Sequence, residues 1–174
     1  MDVRLRPRVP ADDDALFAIS ADLDTWEERN PGPPAPMARE RFDARTREHA
    51  ESDGSAAVSF VVAVDGQVAG SVVLFRIDAY ARHAELGIAL SPDFRGRGVG
   101  TEAVRQLTAF AFERHNLRRV HLEVLASNAA AIRAYEKAGF VEEGRRREHA
   151  WVRGRYEDMV IMGILQAERR DLSN

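Results

Sequence analysis

Ser91-Pro92-Asp93-Phe94-Arg95-Gly96-Arg97-Gly98-Val99-Gly100-Thr101 joins a strand pattern to a helix pattern through three alternating glycines. Before it, His83 to Leu90 reads as a strand that stops at Ser91-Pro92, because proline disfavours helix before it and ladder pairing at it. After it, Val99, Ala103, Val104, Leu107, Phe110 and Ala111 recur at helical spacing along one face, which predicts a helix from about Gly98 to His115. Three alternating glycines at that junction let backbone N–H groups turn towards a ligand. The helix start adds partial positive charge, and Arg95 and Arg97 strengthen the preference for an anion such as a pyrophosphate. Two nucleotide motifs fail on spacing. A G-x-G-x-x-G fingerprint from Gly96 needs glycine where Thr101 stands, and a Walker loop needs a Gly-Lys pair that this stretch lacks.

Outward from the turn, the chain alternates short elements. Val3 to Arg6 reads as a strand ended by Pro7, and Asp12, Asp13 and Asp14 favour the start of a helix. Trp26-Glu27-Glu28-Arg29-Asn30 and the prolines at 31, 33, 34 and 36 read as a surface loop. A polar helix from Met37 to Glu51 follows it. Ser59 to Val64 and Gln67 to Ile77 flank Asp65-Gly66, a hairpin signal. Val120 to Leu125 reads as a strand, and Ser127-Asn128 caps a helix ended by Gly139. Val141 to Val152 and Tyr156 to Leu165 close the chain as a second hairpin. This order implies a mixed sheet with helices on both faces, an α/β (α+β) fold, in one domain over residues 1–174.

Composition narrows the functions. A net charge of −3 provides no polybasic field for nucleic acid or a membrane surface. No cysteine is present, which excludes disulfides, thiolate metal sites and a cysteine nucleophile, and no metal is expected. The longest plainly apolar run, Phe60 to Val64, is too short to span a bilayer, and Asp2, Arg4, Arg6 and Arg8 break up any signal stretch. The expected setting is cytoplasmic.

Arg95-x-x-Gly98-x-Gly100 resembles the pyrophosphate-binding signature of the GNAT N-acetyltransferase superfamily. Asn128-Ala-Ala-Ala-Ile-Arg-Ala-Tyr135-Glu-Lys-Ala-Gly139-Phe140 is similar to its second hallmark, a helix that delivers Asn and Tyr to the cofactor. Glu142-Glu143-Gly144 and Gly154-Arg155-Tyr156-Glu157-Asp158 look like the spermidine/diamine and ribosomal-protein-alanine branches. The likeness covers roughly residues 58 to 165. It implies a mostly antiparallel sheet of about seven strands, with acetyl-CoA in a V between two splayed parallel strands.

Carried over residue by residue, the resemblance implies that Ile88, Ala89 and Leu90 offer backbone groups to the pantetheine arm and thioester carbonyl. Arg95, Gly96, Arg97, Gly98, Val99, Gly100 and Thr101 hold the pyrophosphate. Asn128 meets the pantetheine amide, although a helix cap explains it equally well. Tyr135 donates a proton to the departing thiolate, with a core aromatic as the alternative. Alkyl amines have pKa values near ~10, so a base must act at neutral pH. Glu85 fits that role, and alternation puts His83 on its side of the strand; pairing with an arginine is the competing explanation. His149 and Trp151 read as edge packing, and the charged runs Glu142-Glu143 and Arg145-Arg146-Arg147 as solvated.

The resulting expectation is direct acetyl transfer from acetyl-CoA to a primary amine. Asp22, Asp24, Glu27 and Glu28 beside Trp26 suggest an acidic mouth for a small cationic amine or polyamine. The alternatives are acetylation of a protein N-terminus and a non-catalytic acyl-CoA-binding module. A homo-oligomer is compatible with everything in the sequence.

Overall fold

The computed structural model describes residues 1–28, 33, 35–51 and 54–171. One seven-stranded sheet organises them, with strand order β1-β2-β3-β4-β5-β7-β6. Its strands are β1 (Val3–Arg6), β2 (Ala57–Val64), β3 (Gln67–Asp78), β4 (His83–Leu90), β5 (Arg119–Leu125), β6 (Val141–Val152) and β7 (Arg155–Leu165). Every pairing is antiparallel except β4–β5. The mixed sheet expected from the order of elements is therefore present, and it is mostly antiparallel with seven strands, as the resemblance implies.

Alternation along β2 shows how one strand serves two layers. Val62 and Val64 join the main core, whereas Val61 faces a smaller one with Leu16, Met37 and Phe42. The main core lies under α4 (Val99–Glu113) and α5 (Ala129–Lys137). The predicted stripe supplies it, with Val99, Ala103, Val104, Leu107 and Ala111 fully buried. The smaller core lies under α1 (Asp13–Ala21) and α3 (Arg39–Glu51) on the opposite face. Asp65 and Gly66 both adopt positive φ in the β2–β3 turn, as the Asp-Gly signal requires.

One sequence expectation needs correction. Trp26 and Glu27 lie in a short helix, α2 (Leu23–Glu27), not in a loop. Asp22 caps it by accepting from the Thr25 N–H at 2.8 Å, and the first proline comes only after the helix has ended. The rest of the expected loop, at 29–32 and 34, lies outside the described residues. The charged run on β6 is exposed as expected, and it also forms ion pairs: Arg119 grips Glu143 with both terminal guanidinium nitrogens and Arg146 pairs with Glu123 at 2.7 Å. A last helix, α6 (Gln166–Asp171), has no apolar stripe to announce it.

Candidate active site

β4 and β5 pair over three positions only: His83 with Arg119, Ala84 with Val120, and Glu85 with His121. Beyond Glu85 the ladder stops, although β4 runs on to Leu90 and β5 to Leu125. On their far sides both strands stay paired to their ends, Leu90 to Gly70 on β3 and Leu125 to Met159 on β7. Two parallel strands thus part towards their C-terminal ends, leaving backbone N–H and C=O groups of residues 86–90 without a strand partner on that edge. Open sheets of this kind bind ligands at that end of the strands.

The glycine-rich turn follows directly from the splayed end of β4. After a short 3₁₀ turn at Pro92–Phe94, Gly96 and Gly98 take φ values of +70° and +83°, a region that disfavours any side chain. A Cβ built on either would meet no protein atom within 4 Å, so open space lies in front of both. Gly98 is the N-cap of α4 and no side chain caps the helix. The first N–H groups of α4, from Val99 to Thr101, have no acceptor inside the helix. The Thr101 hydroxyl is used elsewhere, donating to the Ala134 carbonyl at 3.3 Å and so fixing α5 against α4. Arg97 is exposed, touching its own turn through a 3.4 Å bond to the Asp93 carbonyl and by lying over the Phe94 ring, 5.9 Å from its centroid. An anion seated here meets backbone N–H groups, the positive helix end and the Arg97 guanidinium.

α5 leaves the end of β5 at the other lip of the gap. Asn128 caps it, with its side-chain oxygen accepting from the Ala131 N–H at 3.1 Å. That cap uses the oxygen and leaves the amide nitrogen for an outside carbonyl, so the two roles weighed for Asn128 are compatible. Tyr135 sits two turns further on, roughly 10 Å along the axis. It is 9% exposed and packs near Phe140, with ring centroids 6.1 Å apart. Gly139, at φ +98°, ends the helix.

Residues 2–141 match the family described as Acetyltransferase (GNAT) domain. The chain belongs to the GNAT acetyltransferase family. Among curated proteins it is 36% identical over 107 residues to the spermidine N(1)-acetyltransferase of Escherichia coli (strain K12), covering 62% of this chain and 58% of that protein. It is 35% identical over 104 residues to the putative ribosomal N-acetyltransferase YdaF of Bacillus subtilis (strain 168), covering 60% and 57%. The matched stretch is therefore somewhat over half the length of these relatives. Among solved structures, spermidine N-acetyltransferase from Vibrio cholerae in complex with CoA and spermine aligns over 97% of this chain and 98% of that one. The TM-score is 0.87 at 26% identity.

Within this GNAT fold, Glu85 stands where the parallel ladder ends. Its side chain is 12% exposed and accepts from Arg76 at 2.7 Å, an arginine that is itself 73% exposed. His121 faces Glu85 across the last β4–β5 pair, and its ring lies 5.6 Å from that of His83. Burial pushes the His121 imidazole below its ordinary pKa, against the opposing pull of the Glu85 charge. The sequence reading missed His121, because only the strand register brings it beside Glu85.

The carboxylates expected to form an acidic mouth gather around α2 and are largely paired. Asp22 caps α2, Arg153 in the β6–β7 turn reaches Asp24 at 2.9 Å and Glu27 at 3.3 Å, and Arg95 reaches Glu28 at 2.9 Å. Among the described residues this leaves four carboxylates against two guanidinium groups, a net negative patch. Trp26 packs on the smaller core and anchors α2 to the body of the protein. Trp151, 54% exposed, stacks edge-on against Tyr156 on the outer hairpin.

Gly70 was also missed in the sequence. A Cβ there would overlap the Ala89 carbonyl oxygen, so only glycine lets β3 lie this close to the splayed end of β4.

Proposed function

We propose that the chain is a cytoplasmic, acetyl-CoA-dependent N-acetyltransferase that acts on a primary amine of a small polycationic molecule, a polyamine. The observation that carries this reading is the gap between β4 and β5, flanked by an uncapped glycine-rich helix start on one lip and by Asn128 and Tyr135 on the other. The residues present fit the cosubstrate, since the open space before Gly96 and Gly98 is where a phosphate can approach the backbone. The Vibrio cholerae relative in complex with CoA and spermine supports both halves of the assignment.

Acetyl-CoA, when bound, supplies an activated acetyl group and a thiolate leaving group. The N–H groups from Gly98 to Thr101 and the Arg97 guanidinium hold the pyrophosphate, and the Asn128 amide meets the pantetheine arm. Backbone N–H groups in the stretch Ile88, Ala89 and Leu90 polarise the thioester carbonyl, a preorganised oxyanion contact. Glu85 removes the proton of the attacking ammonium, directly or through water, and Arg76 is exposed enough to yield its hold. Tyr135 donates its O–H to the departing thiolate. With no cysteine in the chain, attack by the amine on the thioester is the direct route. The excess carboxylate around α2 favours a cationic acceptor over a neutral one.

The test is an acceptor panel at saturating acetyl-CoA, comparing polyamines, neutral primary amines and peptides with free N-termini. Polyamines should give the highest kcat/KM. A peptide as best acceptor would shift the assignment to protein N-terminal acetylation, and CoA binding without turnover on any amine would shift it to an acyl-CoA-binding module.

A further inference from the structure

Arg95 opens the glycine-rich signature, yet each of its three guanidinium nitrogens is bonded to the protein. Nε donates to the Leu90 carbonyl at 3.1 Å, one terminal nitrogen donates to Glu28 at 2.9 Å, and the other donates to the Thr25 hydroxyl at 2.7 Å. Thr25 is only 1% exposed and passes the link on, its hydroxyl donating to Asp22, the N-cap of α2. A single guanidinium thus ties the last residue of β4 to two residues of a helix some seventy positions earlier in the chain. Arg153 performs the matching task from the β6–β7 turn, bonding Asp24 and Glu27. α2 is therefore fastened to both sides of the gap between β4 and β5. One fastening comes from the end of β4 and the other from the hairpin whose β7 strand lines β5.

We propose that Arg95 is a positioning residue for the amine acceptor: it does not hold the pyrophosphate with its side chain, but fixes the acidic helix α2 over the C-terminal end of β4. This rests on reading the gap as the acetyl-transfer site. The chemistry suits a fork of donors. A planar guanidinium satisfies a carbonyl, a carboxylate and a hydroxyl at once, which lysine cannot do with one ammonium group. The geometry also explains why the same turn carries two arginines with different fates. Arg97 stays exposed for the anion, while Arg95 turns its charge onto the carboxylate of Glu28, leaving Glu27 and Asp24 to Arg153. Binding of the cosubstrate at the turn and of the cation at α2 then share one rigid connection through Leu90.

Arg95→Met, Arg95→Lys and Thr25→Val, which removes only the hydroxyl that Arg95 grips, test the assignment. Three measurements are made on the full chain: CoA affinity by titration calorimetry, amine KM at saturating acetyl-CoA, and hydrogen exchange of the α2 amides. Each variant should raise the amine KM about tenfold, the usual scale for a lost charged hydrogen bond. CoA Kd should stay within about twofold, and exchange in α2 should quicken while α4 is unchanged. The proposal is overturned if Arg95→Met weakens CoA about tenfold while Thr25→Val leaves both the amine KM and α2 exchange at wild-type values. That pattern would make Arg95 a phosphate ligand. Should Arg95→Met fail to unfold cooperatively, Thr25→Val decides alone. Failure of the wild-type chain to bind CoA would refute the functional reading instead, and the exchange data would still decide whether Arg95 holds α2.

Discussion

Replacing Gly98 with alanine separates two jobs of one residue. Its φ of +83° lies in the left-handed region, where an L-residue costs roughly 1–2 kcal/mol. The added methyl meets no protein atom within 4 Å, so no clash adds to that cost. For a domain of this size, 1 kcal/mol corresponds to about 2–4 °C in Tm, and the unliganded variant should melt about 2–8 °C lower. In the wild type, CoA at 100 times its Kd adds about 2.7 kcal/mol. The new methyl projects into the space assigned to the phosphates, and a tenfold loss of affinity there would remove about 1.4 kcal/mol, half of that gain. Gly66 is the matched control: its φ is +86°, it too has nothing within 4 Å, and it sits in the β2–β3 turn, outside the glycine-rich segment. Gly66→Ala should lower Tm by a similar amount while keeping the full CoA-dependent shift. Scanning calorimetry of the three proteins, with and without CoA, is the assay. Equal CoA shifts in Gly98→Ala and Gly66→Ala would refute the placement of the phosphate site.

Tyr135→Phe should lower kcat by about 10²–10⁴-fold with CoA affinity nearly intact, since only the hydroxyl is removed and the packing against Phe140 stays; steady-state kinetics beside a CoA titration check this, and normal turnover would leave Tyr135 as packing. Gly70→Ala should cost about 1–3 kcal/mol or more, because the methyl runs into the Ala89 backbone, and should weaken CoA binding through the displaced end of β4; a wild-type Tm would contradict it. Asp22 is held below the ordinary carboxylate range, first by the Thr25 hydroxyl, then by the Thr25 N–H and the charges of Arg95 and Arg153. A depressed carboxylate confers stability that is complete above its unfolded value of about 3.9 and is lost as pH falls through the lower folded value. The Tm deficit of Asp22→Asn should therefore shrink between pH 7 and pH 3, and a constant deficit would show that the charge plays no part.

The backbone of the site was legible because its signals are local. Period-two runs, the Asp-Gly hairpin, the Ser-Pro stop after β4 and the apolar stripe of α4 each follow from short-range stereochemistry, and their boundaries agree with the structure within a few residues. That β4 and β5 are parallel also follows from order, since a strand, a helix and a further strand make parallel neighbours, whereas their splay was implied only by the family resemblance. What stayed hidden depends on register and on distant partners. Arg95 reads as an anion ligand because its neighbours in sequence are glycines; only the fold brings Thr25 and Glu28 to it. His121 becomes a neighbour of Glu85 through one rung of a parallel ladder. Glu143 looks solvated until Arg119 is placed beside it across β7. α2 was hidden by the Pro-rich stretch just after it, although Asp22-x-x-Thr25 already offered a cap.

Acetyl transfer to a cationic amine at the gap between β4 and β5 requires that free CoA thiol be released as the amine is consumed. Purified protein with acetyl-CoA should release thiol slowly alone and rapidly when spermidine or spermine is added, with one acetylated amine formed per thiol released. Glu85→Gln should suppress the amine-dependent rate while leaving CoA binding in place. Thiol release that no amine accelerates, or acetylated product that forms as readily in Glu85→Gln and Tyr135→Phe as in the wild type, would contradict the assignment.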